Sequence, residues 1–175
     1  MQAYRASILD FIDDPASAPE QSLRYLEDGL LLIDQGLVRA CGDYATLKPT
    51  LAEDVTLVDY SGRLIMPGFI DAHLHYAQTD IIASHGSQLL DWLERYTFPE
   101  ENRFSDAAHA AQTAEFFIQE LLRNGTTSAL VFGTVHPQSV DAIFSAASRQ
   151  NMRLISGKVM MDRHAPDFLC DSAQS

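Results

Sequence analysis

Two histidines separated by a single residue have the type and spacing of metal ligands. They occur in the stretch PGFIDAHLHYAQTD, residues 67–80, as His73 and His75, and Asp71 stands two positions before the first. In a β-strand, residues i and i+2 project from the same side, and a rise of about 3.3 Å per residue puts the two histidines about 6.6 Å apart at the backbone. Two imidazoles can converge on one ion from that distance, so the pair is predicted to bind a metal.

Asp71 follows the same two-residue alternation, and we predict that it supports the histidines without binding the metal itself. A carboxylate and two imidazoles on an otherwise apolar strand are unfavourable to bury unless they are paired or ligated. The competing interpretation is a pair of histidines that form ordinary hydrogen bonds near a strand end. Metal ligation is favoured because α/β folds place their chemistry at the C-terminal ends of buried parallel strands.

Two histidines are an incomplete ligand set, because a catalytic zinc usually takes three protein ligands and leaves one position open for water. His136 follows a second apolar strand and is interpreted as a candidate pocket wall, and not as a ligand. The other histidines are assigned surface or capping roles: His85, His109 and His164. Cys41 and Cys170 are far apart and outside any CxxC spacing, which predicts free thiols and neither a disulfide nor a thiolate metal site.

The segment from Tyr76 to Phe104 is unusually long for a connection between a strand and a helix. It is rich in apolar and aromatic residues, and long loops in compact domains are usually functional. One interpretation is a lid over the metal, in which Trp92 and Tyr96 are flat walls for a substrate. The alternative is a short helix over 87–96 that packs on a neighbouring subunit, and we expect a mixture of the two.

The first part of the chain, residues 1–66, is predicted to be mainly β-structure. The expected elements are a strand over 3–12, a meander over 23–42, a helical connector over 43–53 and a strand over 55–62. Asp28-Gly29 and Gln35-Gly36 supply residues that tolerate tight turns within the meander. The next stretch, RLIMPGFIDAHLH, is predicted to be one continuous apolar strand of the kind that is buried on both faces.

Residues 67–175 alternate strands with amphipathic helices. Helices are predicted over 105–123 and 139–150, and further strands over 126–135 and 152–160. This alternation indicates an α/β fold of right-handed parallel βαβ units, in either an open doubly wound sheet or a (β/α)8 barrel. A complete barrel takes about 250 residues. If the fold is a barrel, these residues contain its first three units and less than half of it.

Composition narrows the class of partner. The chain is 46% hydrophobic, and 12 basic against 24 acidic residues give a net charge of -12. That balance disfavours nucleic-acid binding and leaves small molecules as the expected partners. No leader with a basic and then an apolar region opens the sequence, and no apolar run is long enough to span a membrane. A cytoplasmic location without membrane contact is the expectation.

PGFIDAHLH after a β-rich amino terminus resembles the opening of the amidohydrolase superfamily, whose members pair a small β-sandwich with a metal-bearing (β/α)8 barrel. The continuation, with HYAQTDIIASHGSQLLDWLERYTFPEE and NGTTSALVFGTVHPQSVDAIF, is similar to the guanine deaminase branch of that superfamily. The resemblance places metal ligands at His73 and His75 and a purine-contacting glutamine at Gln78. An amide both donates and accepts hydrogen bonds, which suits a purine edge with a ring nitrogen and a carbonyl.

The resemblance implies hydrolytic deamination of guanine to xanthine and ammonia by a homodimer with one zinc, or iron, per subunit. In that branch the remaining ligands, the proton-shuttling residues and a base-holding arginine come from later barrel strands, which we do not find here. Asp162, Asp167 and Asp171 lie too late and in too loop-like a context to replace them. The chain alone is therefore predicted to be inactive. Two alternatives stay open: another amidohydrolase that deaminates a purine, pyrimidine or triazine amine, and a catalytically dead dimerisation module.

Overall fold

A computed structural model of the chain describes residues 1–86 and 88–172. The chain divides into two compact units, one over Met1–Pro67 and one that begins at Gly68. Ser87, the first residue of the predicted 87–96 helix, lies outside the described residues, as do the last three positions of the predicted 67–175 domain. That the two units are part of a β-sandwich and part of a barrel stays a prediction at this point.

The first unit is a four-stranded mixed sheet. Its strands are β1 (Gln2–Phe11), β2 (Leu23–Asp34), β3 (Leu37–Asp43) and β4 (Thr56–Ile65), in the order β3-β2-β1-β4. Strands β1, β2 and β3 pair antiparallel, whereas β4 pairs parallel with β1. The short helix α1 (Tyr44–Leu47) and the connector after it pack on the buried Leu30 and Leu32. The predicted β-rich character and the helical connector are confirmed.

Two details of this unit differ from the sequence prediction. The turn at Gln35-Gly36 forms, with φ angles of 51° and 76°. Asp28-Gly29 instead lies inside β2, at a bulge where β2 has one residue more than the facing segment of β1. The predicted continuous strand from Arg63 to His75 is also wrong. Strand β4 runs past Gly62 to Ile65 and ends before Pro67, whose missing N–H cannot continue a ladder.

The second unit alternates strands and helices as predicted. Its main elements are β5 (Phe69–His75), α4 (Ala107–Arg123), β6 (Thr126–Phe132), α5 (Pro137–Arg149) and β7 (Arg153–Gly157). The three strands are parallel and stand in their sequence order, β5-β6-β7. Helices α4 and α5 share one hydrophobic core with the buried Ala129 and Val131 of β6. Both helices therefore cover the same face of this sheet, as consecutive right-handed crossovers require.

Helix α4 begins and ends where its sequence indicates. The Asp106 carboxylate accepts a hydrogen bond from the Ala108 amide at 2.8 Å and so caps the first turn. Gly125, with φ of 85°, follows the last turn. The predicted amphipathic character of this helix is confirmed, because Ala110, Ala114 and Ile118 on one side of it are fully buried. This packing fixes α4 against the sheet that carries the histidines.

Strand β5 is not buried on both faces among the described residues, contrary to the prediction. Ile70 is 78% exposed and Phe69 is 55% exposed. The reason is that α4 and α5 lie on one side only, so no described helix covers the other side. Parallel sheets in complete α/β folds are covered on both faces. The uncovered face includes Phe132, which stacks on His75.

Short helical pieces fill the long segment between β5 and α4. A 3-10 turn over Tyr76–Ile81, which we call the glutamine turn because it contains Gln78, follows β5 directly. Further along are α2 (Leu89–Trp92), a π-helical turn (Leu93–Thr97), α3 (Phe98–Asn102) and a 3-10 turn (Arg103–Ser105). A helix in the predicted 87–96 region is thus confirmed in part. None of the helices in the described residues has the length and apolar character that crossing a membrane requires.

Candidate metal centre and adjoining cleft

The two histidines of β5 converge at their ring nitrogens. Nε2 of His73 and Nε2 of His75 are 3.3 Å apart, and the ring planes are inclined by 53°. Two nitrogens that are each about 2.0–2.1 Å from one tetrahedral zinc stand about 3.3 Å apart. The observed separation therefore fits two ligands of a single ion, which is the arrangement expected from the i, i+2 spacing.

His75 is the more buried of the pair and has an aromatic support. Its ring is stacked on Phe132 of the neighbouring strand, with centroids 4.7 Å apart and planes at 11°. Burial, and then the nearby His73, lower the pKa of His75 below its ordinary value. The neutral form that this favours is the form of imidazole that donates a lone pair to a metal.

Asp71 contacts the backbone of the pair and not an imidazole. Its Oδ1 accepts a hydrogen bond from the His73 amide at 3.1 Å. Asp71 is in register with Ala129, and Leu74 with Val131, so β5 has one extra residue between these two pairs. This bulge interrupts the regular alternation that sequence reasoning assumed for the three polar residues, although it leaves Asp71 in place to fix the bend that carries His73.

A cleft of about 770 Å³ opens beside the histidines. It is lined by four of the residues singled out from the sequence, namely His73, His75, Gln78 and Trp92. The rest of its wall is largely apolar and includes Ile81, Ile82, Phe116 and Phe117. Its size is within the range of small-molecule sites, about 300–1,000 Å³. The described structure thus brings the predicted metal ligands and the predicted substrate contacts to one cavity.

The Trp92 side chain is held in place in this cleft, whereas the Gln78 side chain is not. The Trp92 indole donates from Nε1 to Oγ of Ser84 at 2.8 Å, which fixes the ring and leaves its apolar surface as wall. The Gln78 amide makes no hydrogen bond to any other described residue, so its donor and acceptor are available to a ligand. Tyr96 and His136, the other predicted walls, do not line this cleft.

His136 is a half-buried histidine immediately before α5. It precedes Pro137, the first residue of that helix, and burial lowers the pKa of its imidazole. Its Nε2 has no hydrogen-bond partner among residues 1–86 and 88–172. The residue therefore packs at the C-terminal side of β6, and the geometry gives it no contact with the histidine pair.

A second polar cluster was missed by sequence reasoning. Ligand-type atoms of Asp80, Glu100 and His109 lie within 4.8 Å of one another. Arg103 already fills the cluster: its Nη1 donates to both carboxylate oxygens of Glu100 at 2.8 Å and to Asp80 at 3.2 Å. The guanidinium takes the place that a metal cation would need. We therefore interpret the cluster as an ion-pair network.

His109 belongs to this network and not to the surface, contrary to the sequence prediction. Arg103 Nη2 lies 3.2 Å from His109 Nδ1, and because arginine only donates, Nδ1 accepts. The ring proton of the neutral form is then on Nε2, which is 3.3 Å from Glu100 Oε1. This second contact is close but too poorly aligned for a hydrogen bond, so Nε2 has no hydrogen-bond partner among the described residues. We regard it as an electrostatic contact inside a packed cluster.

These features agree with the comparisons with known proteins. The model of the amidohydrolase family matches residues 64–175, and the chain belongs to that family. Among curated proteins, the chain is 52% identical to the guanine deaminase of Escherichia coli (strain K12) over 178 residues. That match covers 100% of this chain and 40% of the relative, so the chain spans well under half of the relative's length.

Solved structures of guanine deaminases resemble the chain over nearly all of its length. The enzyme from Bradyrhizobium japonicum has a TM-score of 0.90 at 34% identity, and the match covers 98% of this chain and 38% of that one. The enzyme from C. acetobutylicum, solved with guanine bound in its active site, has a TM-score of 0.80 at 25% identity, with 97% and 39% covered. The chain is thus similar to somewhat less than two fifths of each of these two guanine deaminases.

Proposed function

We propose that this chain supplies the first metal ligands and the base-recognising side chains of a guanine deaminase, which hydrolyses guanine to xanthine and ammonia. The observation that carries the proposal is the convergence of His73, His75 and Gln78 on one apolar cleft. The similarity to guanine deaminases from several organisms supports it. The activity is proposed for the whole protein, because this chain covers only 40% of its Escherichia coli relative.

The proposed architecture is the start of a (β/α)8 barrel preceded by part of a small β-sandwich. Parallel strands in sequence order, with both helices on one face, support the barrel over the doubly wound sheet, which reverses its strand order and covers both faces. The mixed sheet of the first unit supports the sandwich portion. In such a barrel the C-terminal ends of the strands carry the active site, and His75 is the last residue of β5.

The proposed metal is one zinc ion per subunit, and iron suits the same donors. His73 and His75 would hold it through Nε2, and their 3.3 Å separation fits a tetrahedral ion. When bound, the metal supplies a water acidic enough to yield hydroxide near neutral pH. Asp71 holds the backbone of His73 in the geometry that aims its ring.

Gln78 and Trp92 are proposed to bind and orient the base. The Gln78 amide can donate to one acceptor of the guanine edge and accept from an adjacent N–H. Trp92, fixed by Ser84, offers a flat apolar wall for a planar heterocycle. The apolar lining of the cleft excludes water around the bound base, which strengthens both hydrogen bonds. In this proposal Gln78 hydrogen-bonds to the edge of the base and Trp92 covers its face.

The rest of the proposal concerns assembly and location. We propose a cytoplasmic homodimer that binds no nucleic acid and no membrane, in keeping with the net charge of -12. The short helices around Leu89 and Leu90 expose apolar side chains, which supports a contact with a second subunit. Sedimentation of the complete protein tests the dimer, and a monomer at micromolar concentration would contradict it.

The deaminase proposal is tested with the protein expressed from the complete reading frame that encodes this chain. We expect xanthine from guanine, one metal per subunit by elemental analysis, and loss of both in His73→Ala/His75→Ala. A panel of adenine, cytosine and a triazine amine separates this proposal from another amidohydrolase specificity, because the apolar cleft itself admits any flat amine. Turnover of one of these amines in preference to guanine would overturn the assigned substrate.

A further inference from the structure

We propose that Asp80 and Arg103 are positioning residues that hold the glutamine turn so that the Gln78 amide faces the cleft. This inference rests on the proposed role of Gln78 in binding guanine, and it adds two residues outside the cavity that determine affinity for the base. Both ends of the turn are anchored, and the Gln78 side chain between them remains free.

The first anchor of the turn is Tyr76. Its side chain is fully buried, and its hydroxyl donates to the Ser139 carbonyl in α5 at 2.5 Å. Phe104 meets the Tyr76 ring edge-on with centroids 5.1 Å apart. Within the turn, the Thr79 hydroxyl donates back to the Tyr76 carbonyl at 2.6 Å. The start of the turn is therefore fixed to the hydrophobic core of the second unit.

The second anchor is Asp80, which reaches the ion-pair network through Arg103. The two residues are joined at 3.2 Å, and Arg103 is held in turn by both oxygens of Glu100 at 2.8 Å. Glu100 has only 9% of its side chain exposed, and Arg103 supplies the hydrogen bonds to both of its carboxylate oxygens. His109, on the first turns of α4, closes the network through its contact with Arg103.

Gln78 lies between these anchors, two residues from each, and its own amide is unpartnered among the described residues. Its backbone is thus held on both sides while its side chain stays free for a ligand. Loss of the Asp80 contact releases one end of the turn and lets the amide sample orientations away from the cleft. The cost of reordering it then appears as weaker binding of the base.

Asp80 is a better residue to substitute than Arg103, because Asp80 is half-exposed whereas Arg103 pairs with a buried carboxylate. Removing Arg103 would leave the buried Glu100 carboxylate unpaired, which destabilises a protein strongly and confuses folding with function. Asp80 has 49% of its side chain exposed, so Asp80→Ala keeps the Arg103–Glu100 pair intact. The matched control is Arg149→Ala, which breaks a similarly exposed pair with Glu115 on α4, joined at 2.6 Å and without contact to the glutamine turn.

The test compares guanine kinetics of the complete protein with those of Asp80→Ala, Gln78→Ala, the double variant and Arg149→Ala. We expect Asp80→Ala to raise KM about three- to fivefold, the range that an exposed ion pair can transmit. The kcat should change little, because a contact made equally to substrate and transition state affects KM alone. Arg149→Ala should match the parent in both parameters.

The double variant separates positioning from a general structural role. If Asp80 acts through Gln78, its removal has no further effect on KM once Gln78 is alanine. Additive effects of the two changes, or an unchanged KM in Asp80→Ala, would overturn the inference while leaving the deaminase proposal standing. Absence of xanthine from the parent protein would instead refute the proposed function, so the two failures are distinct.

Discussion

The imidazole of His75 lies parallel to the ring of Phe132, with centroids 4.7 Å apart. The contact joins the end of β5 to the end of β6, where the two residues are in register. Phe132 belongs to a strand that contributes no proposed metal ligand, and its ring restricts the rotation of the His75 imidazole. Residues that orient a ligand in this way typically change metal affinity by about 10–100-fold when removed.

We therefore expect Phe132→Ala to weaken metal binding by about tenfold, without unfolding the protein. The measurement is competition with a chelator at equilibrium. Phe144→Ala, a similarly exposed phenylalanine on α5, is the matched control and should bind metal like the parent. Equal metal affinity in the parent and Phe132→Ala would show that the stacked ring has no part in orienting His75.

Removal of either histidine should abolish stoichiometric metal. His73→Ala and His75→Ala each remove one ligand of the converging pair, whose Nε2 atoms are 3.3 Å apart, and a catalytic zinc site has only about three protein ligands to lose. His109→Gln is the control, because His109 belongs to the network that Arg103 already fills. Elemental analysis after gel filtration makes the comparison. If His109→Gln lost its metal while His73→Ala and His75→Ala kept theirs, the metal would be bound by that network and not by the histidine pair.

The buried Glu101 predicts a specific pH dependence of stability. Burial raises its pKa from 4.5 to about 7, so the folded state holds this proton more tightly than the unfolded state does. The contribution is fully present below about pH 4.5 and is lost as the pH rises through about 7. Glu101→Gln, which keeps a neutral side chain, should stabilise the protein at pH 8 by about 3 kcal/mol at most. It should have little effect at pH 4.5.

Urea unfolding at the two pH values measures this effect, with Glu53→Gln, an exposed position in the first unit, as the control. The control should show the same small difference at both pH values. A Glu101→Gln variant that gains nothing at pH 8 would mean that the carboxylate is paired in the native protein.

The purified 175-residue chain should form no xanthine from guanine. Its described residues bring only two histidines to the proposed metal, whereas a catalytic zinc takes three protein ligands. Chromatographic detection of xanthine after prolonged incubation makes the test, and the protein from the complete reading frame is the positive control. Turnover by the short chain above the His73→Ala background would contradict the proposed division of the site.

Local sequence signals predicted the elements that carry the site. The amphipathic pattern over 105–123 predicted α4, and the Asp106 cap and Gly125 set its ends, since each of these signals acts within a few residues. The i, i+2 spacing of His73 and His75 predicted their converging imidazoles for the same reason. Gln78 came from a family resemblance, because nothing in its spacing indicates a ligand. Trp92 was predicted as a substrate wall from the aromatic character of the long loop.

Features that depend on contacts between distant segments were missed. The bulge between Asp71 and Leu74 arises from pairing with β6, and no residue in the strand itself marks it. The Asp80–Arg103 contact joins residues 23 positions apart, so only the fold reveals it. Pro67, by contrast, was a visible local signal for the break before β5, and the apolar run around it outweighed that signal in the prediction.

The two converging histidines are neighbours along one strand, with only Leu74 between them. An ion held by this pair alone closes a minimal loop, and the loop-closure entropy that it removes from the unfolded chain is correspondingly small. Any stabilisation from this half of the site must come from the ligand bonds themselves and not from cross-linking distant segments.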